Sequence, residues 1–136
     1  MKYLLICKSN VGRSQMACAF FRQLHGDHQA SSAGTHVGEK AGQGLHEYVL
    51  KVMEESGLDL SLQKRAQLTP EMVDWSQKII VMLDDHSDLP AYVPLEKVEF
   101  WDVPDAKDKS LEFHREVRDS IRKRVEAMRI TELPSL

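Results

Sequence analysis

A short apolar run at the start of the chain passes straight into loop residues and then into a helical pattern. That order restricts the fold more than any other feature of the sequence. Lys2 to Ile6 is apolar and closed by turn residues, which reads as a buried strand. Ser14 opens a helix whose Met16, Ala17, Phe20, Phe21 and Leu24 share one side, and Gly26 stops it. The alternation then repeats. Gln29 to Ala33 is a weaker strand ending at Gly34-Thr35, and Gly38 to Gly44 is a glycine-rich loop. Leu45, Tyr48, Val49, Val52 and Met53 mark a second amphipathic helix that ends near Gly57. Thr69-Pro70-Glu71 is a helix opening, with a hydroxyl cap, a proline at the first helical position and an acid in the first turn. Lys78 to Leu83 is apolar enough to be central in a sheet, and Val98 to Val103 supplies a fourth strand. Phe113, Val117, Ile121, Val125 and Met128 stripe a long final helix, and Thr131 to Leu136 are expected to fray. Strands alternating with helices predict an α/β fold with a mainly parallel sheet and right-handed crossovers. Such sheets bind ligands at the carboxyl ends of their strands, and Cys7 stands at one of those ends.

The 136 residues suffice for one domain with a real core, spanning 1–136, and are too few for two. A charged content of 29% beside 42% hydrophobic residues separates the chain from disordered sequences. Its net charge of −3, with no basic tail or stripe, argues against nucleic acid or a membrane surface as partner. No apolar run approaches a membrane span. The apolar core of the N-terminus is too short for a signal peptide and no small-residue cleavage site follows, so a cytoplasmic location is expected. Two cysteines, Cys7 and Cys18, are too few for a disulfide framework or a zinc site. No metal or other cofactor is expected, and the composition leaves the oligomeric state open.

Cys7-Lys8-Ser9-Asn10-Val11-Gly12-Arg13-Ser14 has the layout of a phosphate-binding loop with a built-in nucleophile. A reactive thiol must be ionised near neutral pH, although a free cysteine titrates at about 8.5. A helix N-terminus, a neighbouring arginine and a hydroxyl donor all favour the thiolate. The presumed helix start, Arg13 and Ser14 supply the three. A tight loop from Lys8 to Arg13 aims successive backbone N–H groups inward as an anion nest. Arg13 can fork onto two oxygens, which lysine cannot do. Asn10 suits the positive φ that so tight a loop requires, and Gly12 helps it close. A bare Cys-x5-Arg spacing arises by chance in roughly one chain in nine of this composition. The preceding strand, the following helix, the asparagine and the serine are what raise it above coincidence. Lys8, Ser9, Asn10, Val11, Gly12, Arg13 and Ser14 are therefore the expected oxyanion-binding set.

With those residues in place, the chain resembles the low-molecular-weight protein tyrosine phosphatase superfamily, which includes the thioredoxin-coupled arsenate reductases. Cys7 to Ser14 is similar to its Cys-x5-Arg-Ser loop, Gln15-Met16-Ala17 continues the match, and Ser32-Ala33-Gly34-Thr35 is similar to its second-strand motif. Gln67-Leu68-Thr69-Pro70-Glu71-Met72 and Trp101-Asp102-Val103-Pro104-Asp105 look closer to the arsenate reductase branch. The resemblance implies a single-domain, three-layer sandwich of the phosphotyrosine phosphatase I type, with a four-stranded parallel sheet in the order 2-1-3-4. It also implies a late-loop carboxylic acid that protonates the leaving oxygen and then activates water. Asp105 and Asp102 are the candidates. Registering on Trp101 favours Asp105, although Ala106 stands where the family has a proline.

The departures bear on the reaction. Thioredoxin-coupled reduction needs two relay cysteines just after the third strand, where this chain has Asp84-Asp85-His86-Ser87. That relay cannot run. Met82-Leu83-Asp84 instead resembles the Met-Asp that closes the strand in phosphatases. Gly12 occupies the place of a protective second cysteine, and Ser9 replaces the usual glycine. Cys18 stands where relatives that hold a cation near the loop carry Glu, and it reads as core filling. Lys8 either attracts an anionic substrate or is simply solvated. No tyrosine follows Asp105 to stack on an aryl phosphate. His36 and His46 flank the glycine-rich loop and are candidates to line the mouth of the site, although surface or capping roles are expected for all six histidines. Trp75 and Trp101 read as packing residues. The charged side of the last helix, including Arg115, Arg118, Arg122, Lys123 and Arg124, reads as a solvated face. The leading expectation is a cysteine-dependent phosphatase forming a cysteinyl-phosphate, acting on a phosphorylated protein or a small phosphomonoester. The alternatives are arsenate reduction resolved by an external thiol, and a catalytically weak oxyanion- or partner-binding module.

Overall fold

The structure is a computed structural model and describes residues 1–130; the expected fray over 131–136 lies outside the described residues. Four strands, β1 (Lys2–Cys7), β2 (Gln29–Gly34), β3 (Lys78–Val81) and β4 (Val98–Phe100), form one sheet in the order β2-β1-β3-β4. Every neighbouring pair is parallel, with Cys7 opposite Gly34 on one side of β1 and Ile6 opposite Val81 on the other. The helices are α1 (Arg13–Leu24), α2 (Glu47–Glu55), α3 (Pro70–Trp75) and α4 (Leu111–Ala127). The parallel sheet agrees with the alternation of strands and helices in the sequence, and its order with what the family resemblance implies.

The two-residue period of β1 divides the interior. Tyr3, Leu5 and Cys7 face a layer built with Phe20 and Phe21 of α1, Val52 and Met53 of α2, and Val117 and Ile121 of α4. Leu4 and Ile6 face the opposite side, with Ile79, Val81 and Val73 of α3. Leu4, Leu5 and Ile6 are fully buried, each contributing roughly 1.5–3 kcal/mol of hydrophobic stabilisation. Because β2 lies on one side of β1 and β3 on the other, the order in which strands are laid down reverses at β1. The loop leaving its carboxyl end therefore opens into the crevice where such sheets take ligands.

Element boundaries differ from the sequence reading in instructive ways. β3 ends at Val81 and β4 at Phe100, short of Leu83 and Val103. Met82, Leu83, Trp101 and Val103 are all buried without belonging to a strand; Met82 N and Trp101 N still donate to the Ile6 and Val81 carbonyls, and beyond them the apolar pattern reports burial alone. α1 starts one residue early, at Arg13, and ends at Leu24 before Gly26. α2 starts at Glu47 because the His46 ring Nδ1 accepts the Tyr48 N–H and caps it. α4 is capped by Ser110, whose Oγ accepts from Phe113 N. Part of the glycine-rich loop, Gly38–Lys40, makes a single 3-10 turn.

The expected solvated face on α4 is also revised. Arg115 and Arg118 both reach Glu55 at the end of α2, at 2.8 and 2.7 Å, and Arg118 also donates to the Val52 carbonyl. These contacts tie α4 to α2. Arg124 donates to the Asp102 carbonyl and lies 5.8 Å from the Trp101 ring centroid. Trp101 is buried, whereas Trp75 is only partly so.

Candidate active site

Cys7 ends β1, and the chain turns through Lys8 to Gly12 before α1 begins at Arg13. Asn10 makes the tight turn, with φ of +52°. Its amide is entirely buried and all four hydrogen-bonding positions are used. Nδ2 donates to Ser14 Oγ at 2.7 Å and to Ser32 Oγ at 3.1 Å. Oδ1 accepts from Ala66 N at 2.8 Å and from Gln15 Nε2 at 3.0 Å. Ser14 Oγ thus receives a hydrogen bond from Asn10, which leaves its own proton to donate to Cys7 Sγ, 3.0 Å away. The Asn10 backbone N–H also points at the sulfur, at 3.3 Å. Gly12 precedes α1 without a side-chain cap, so the first-turn N–H groups of that helix remain available to an anion.

The end of β2 holds the loop from behind. Thr35 N donates to the Cys7 carbonyl and His36 N to that of Lys8. A Cβ at Gly34 would stand 2.7 Å from the Lys8 carbonyl oxygen and 2.9 Å from Asn10 N, so glycine is required for this approach. Gln67 secures the same junction, donating to the Thr35 carbonyl and accepting from Val37 N and Gly38 N.

Arg13 is buried, with its guanidinium held in place. Nη1 donates to Asp84 Oδ1 and to the Val103 carbonyl, both at 3.0 Å. With Nη1 occupied, the Nε–Nη2 edge is the one left to fork onto an oxyanion. Asp105 Oδ2 lies 3.7 Å from Nη2. Its other oxygen accepts from Lys107 N at 3.0 Å, which orients the carboxylate in a short turn. Ala106, in the family's proline position, is buried, and its carbonyl accepts from Lys109 N, so packing and a turn shape this loop instead.

A cavity of about 430 Å³ opens above the loop. Cys7, Ser9, Val11, Gly12, Arg13 and Asp105 line it, whereas Asp102 does not. Lys8 does not line it either; its exposed side chain points to Asp88, 4.0 Å away. Asn10 and Ser14 stand beneath the loop as supports rather than in the cavity wall. Several lining residues were not assigned there from sequence: Lys40, Arg65, Tyr48 and His114. His114, expected at the surface, is buried, with Nδ1 bonded to the Ser110 carbonyl and its ring 5.4 Å from that of Tyr48 and 6.0 Å from that of His46. His46 lines the cavity and His36 does not. Aromatic wall residues therefore come from α2, its entry and α4, and none from the loop that directly follows Asp105. Asp84 was legible only as the acid ending an apolar strand. Cys18 is buried in the core on α1, outside this cavity, and burial pushes its thiol up to about 11.

A thiol at the centre of an amide-lined loop, with an arginine and an aspartate over it at the switch point of a parallel sheet, defines a class: cysteine enzymes that act on tetrahedral oxyanions. The chain belongs to the low molecular weight phosphotyrosine protein phosphatase family, whose sequence model matches residues 2–134. It is similar to the glutaredoxin arsenate reductase of Synechocystis sp., with 32% identity over 92% of this chain and 93% of that protein. It is also similar to the protein-arginine-phosphatase of Geobacillus stearothermophilus, with 31% identity over 80% of this chain and 66% of that protein. In fold it matches Vibrio vulnificus Wzb in complex with benzylphosphonate, with a TM-score of 0.85 at 21% identity over 93% of this chain and 94% of that one. Phosphatases and arsenate reductases thus both stand among its relatives, and both are enzymes.

Proposed function

We propose that the protein hydrolyses phosphomonoesters through a cysteinyl-phosphate on Cys7. The observation that carries this reading is the Asp105 carboxyl group in the same cavity as Cys7, oriented by the Lys107 N–H and adjacent to Arg13. Hydrolysis needs an acid–base group at that place. In the first step Cys7 Sγ attacks phosphorus, the bond to the ester oxygen breaks, and Asp105 gives its proton to the leaving alcohol. In the second, the Asp105 carboxylate takes a proton from water, the water oxygen attacks phosphorus, and the S–P bond breaks to release phosphate and Cys7. Arg13 and the loop amides hold the equatorial oxygens in both steps. The Ser14 hydroxyl donates to the sulfur when it leaves.

Arsenate handling with an external thiol is the second reading. It is favoured by the similarity to a protein named glutaredoxin arsenate reductase, and among the chain's own thiols it requires only Cys7. Parallel assays separate the two: aryl phosphate hydrolysis, and arsenate-dependent consumption of glutathione with glutaredoxin. Phosphate release lost in Cys7→Ser and strongly reduced in Asp105→Asn supports the phosphatase. Thiol consumption with negligible phosphate release selects the reductase. Cys7 alkylation that phosphate does not slow, with neither activity, would leave the inert binding module.

A further inference from the structure

The cavity rim is basic, although the chain as a whole carries −3. Lys40, Arg65, Lys107 and Lys109 line the mouth, against Glu47 and Asp108; Asp105 already faces Arg13. None of the four cations lies within ion-pair distance of a carboxylate among the described residues. Of the acids that follow β3, Asp84 pairs with Arg13 and Asp88 with Lys8, and neither they nor Asp85 pair with any of the four rim cations. Arg65 is anchored by its Nε to the Ser9 carbonyl, at 3.0 Å, which sets its remaining N–H groups at the edge of the phosphate loop. The 40s loop and the Arg65 segment are joined by Gly42 N to Arg65 O and Arg65 N to Gln43 O. Lys107 and Lys109 belong to the separate loop that carries Asp105.

A phosphoryl dianion is already served by Arg13 and the loop amides, so four further cations are surplus to it. Their position suits anions on the same substrate that lie outside the cavity. Arg13 is the buried cation of the wall, whereas Lys40, Lys107 and Lys109 are exposed and come from two loops. That spread matches carboxylates a side-chain length or more from the phosphoryl group better than a second phosphate on a small compact molecule. Resting on the phosphatase reading, we infer that the substrate is a phosphorylated polypeptide whose phosphoresidue is flanked by Asp or Glu. Field focusing at the mouth would act mainly on encounter and on KM, and would be screened by salt.

The test uses wild-type protein and peptides with a central, non-hydrolysable phosphonate analogue of phosphotyrosine, flanked by Glu, by Ala or by Lys. Fluorescence anisotropy gives the affinities, with inorganic pyrophosphate as a small competitor. The Glu-flanked peptide is expected to bind about tenfold or more tighter than the Ala-flanked one at low salt, with the gap shrinking several-fold near 0.5 M salt. Reversing the exposed lysines together (Lys40→Glu, Lys107→Glu, Lys109→Glu) should collapse that gap. Equal affinities, a preference that survives the triple reversal, or pyrophosphate outcompeting the Glu-flanked peptide would each overturn the inference. Because the probes cannot be hydrolysed, the preference is measured independently of turnover. A clear acidic preference in a protein that cleaves none of the matching phosphopeptides would count against the phosphatase reading alone.

Discussion

The floor and the rim of the cavity are built in opposite ways. Beneath the anion site, Asn10, Ser14, Ser32, Gln15 and Gly34 hold the loop through buried hydrogen bonds and a backbone approach too close for any side chain but hydrogen. Around the mouth, Lys40, Lys107, Lys109 and Asp108 are exposed. On the proposed reading, the floor sets the chemistry that any substrate meets, while the rim sets which substrate is drawn in. Rigidity belongs where a displacement of an ångström is costly, and loose charge suffices where only long-range attraction is needed.

Asp105 reaches from the rim loop to the floor, and its removal should have the largest effect among variants that keep Cys7. Asp105→Asn is expected to lower kcat for an aryl phosphate by about 10²–10⁴-fold while phosphate-analogue binding stays within a few-fold. An equal loss for Asp102→Asn in steady-state kinetics would contradict the assignment.

Two glycines separate floor from surroundings more finely. Gly34→Ala drives a Cβ into the loop backbone and is expected to cost about 1–3 kcal/mol in denaturant unfolding and roughly 100-fold in kcat/KM. Gly12→Ala places its Cβ 3.8 Å from Met16 and Val49, an ordinary contact, and should cost about 1 kcal/mol or less. Similar losses in the two variants would remove the distinction between a floor that cannot give and one that can.

Asp84 supports the floor from an exposed position. Its carboxylate is 66% exposed, so the ion pair with Arg13 adds little to stability, and its part is to aim the guanidinium. Asp84→Ala should reduce kcat/KM about five- to tenfold, chiefly through KM, with the melting temperature nearly unchanged. The smallest effect on turnover is expected from Glu55→Gln, in the clamp between α2 and α4. Hydrogen bonds from Arg115 above all, and from Arg118, hold the Glu55 carboxyl down to about 2 from its ordinary 4.5. A depressed carboxylate stabilises the folded chain fully above its unfolded value and loses that contribution as pH falls towards 2. The melting-temperature gap between wild type and Glu55→Gln should therefore be present at pH 7 and narrow below about pH 4.5. A gap that does not change with pH would show that charge is not its source.

The loop part of the floor was legible in the sequence because chain connectivity alone assembles it, whereas Ser32 and Gly34 reach it from β2. Cys7, Asn10, Arg13 and Ser14 are neighbours, so strand, loop and helix chemistry sufficed to bring them together. Lys8 shows where adjacency misleads, since the loop sends its side chain toward Asp88 although the residue is next to the thiol. The rim was not legible because its residues come from distant segments that only tertiary packing joins. Tyr48 and His114 meet through α2–α4 packing, and Arg65 reaches Ser9 across 56 positions of sequence. Hydrophobic pattern likewise overextended the third and fourth strands, because Leu83 and Val103 are buried in the two core layers without belonging to a strand.

The central claim is that Cys7 carries the phosphoryl group between substrate and water. Acid-quenched wild-type protein, mixed with an aryl phosphate and digested for mass spectrometry, tests it most directly. One phosphoryl group on the peptide containing Cys7, absent in Cys7→Ser and accumulating in Asp105→Asn, is the predicted result. Continued phosphate release by Cys7→Ser, or a phosphoryl group on another residue, would contradict the account.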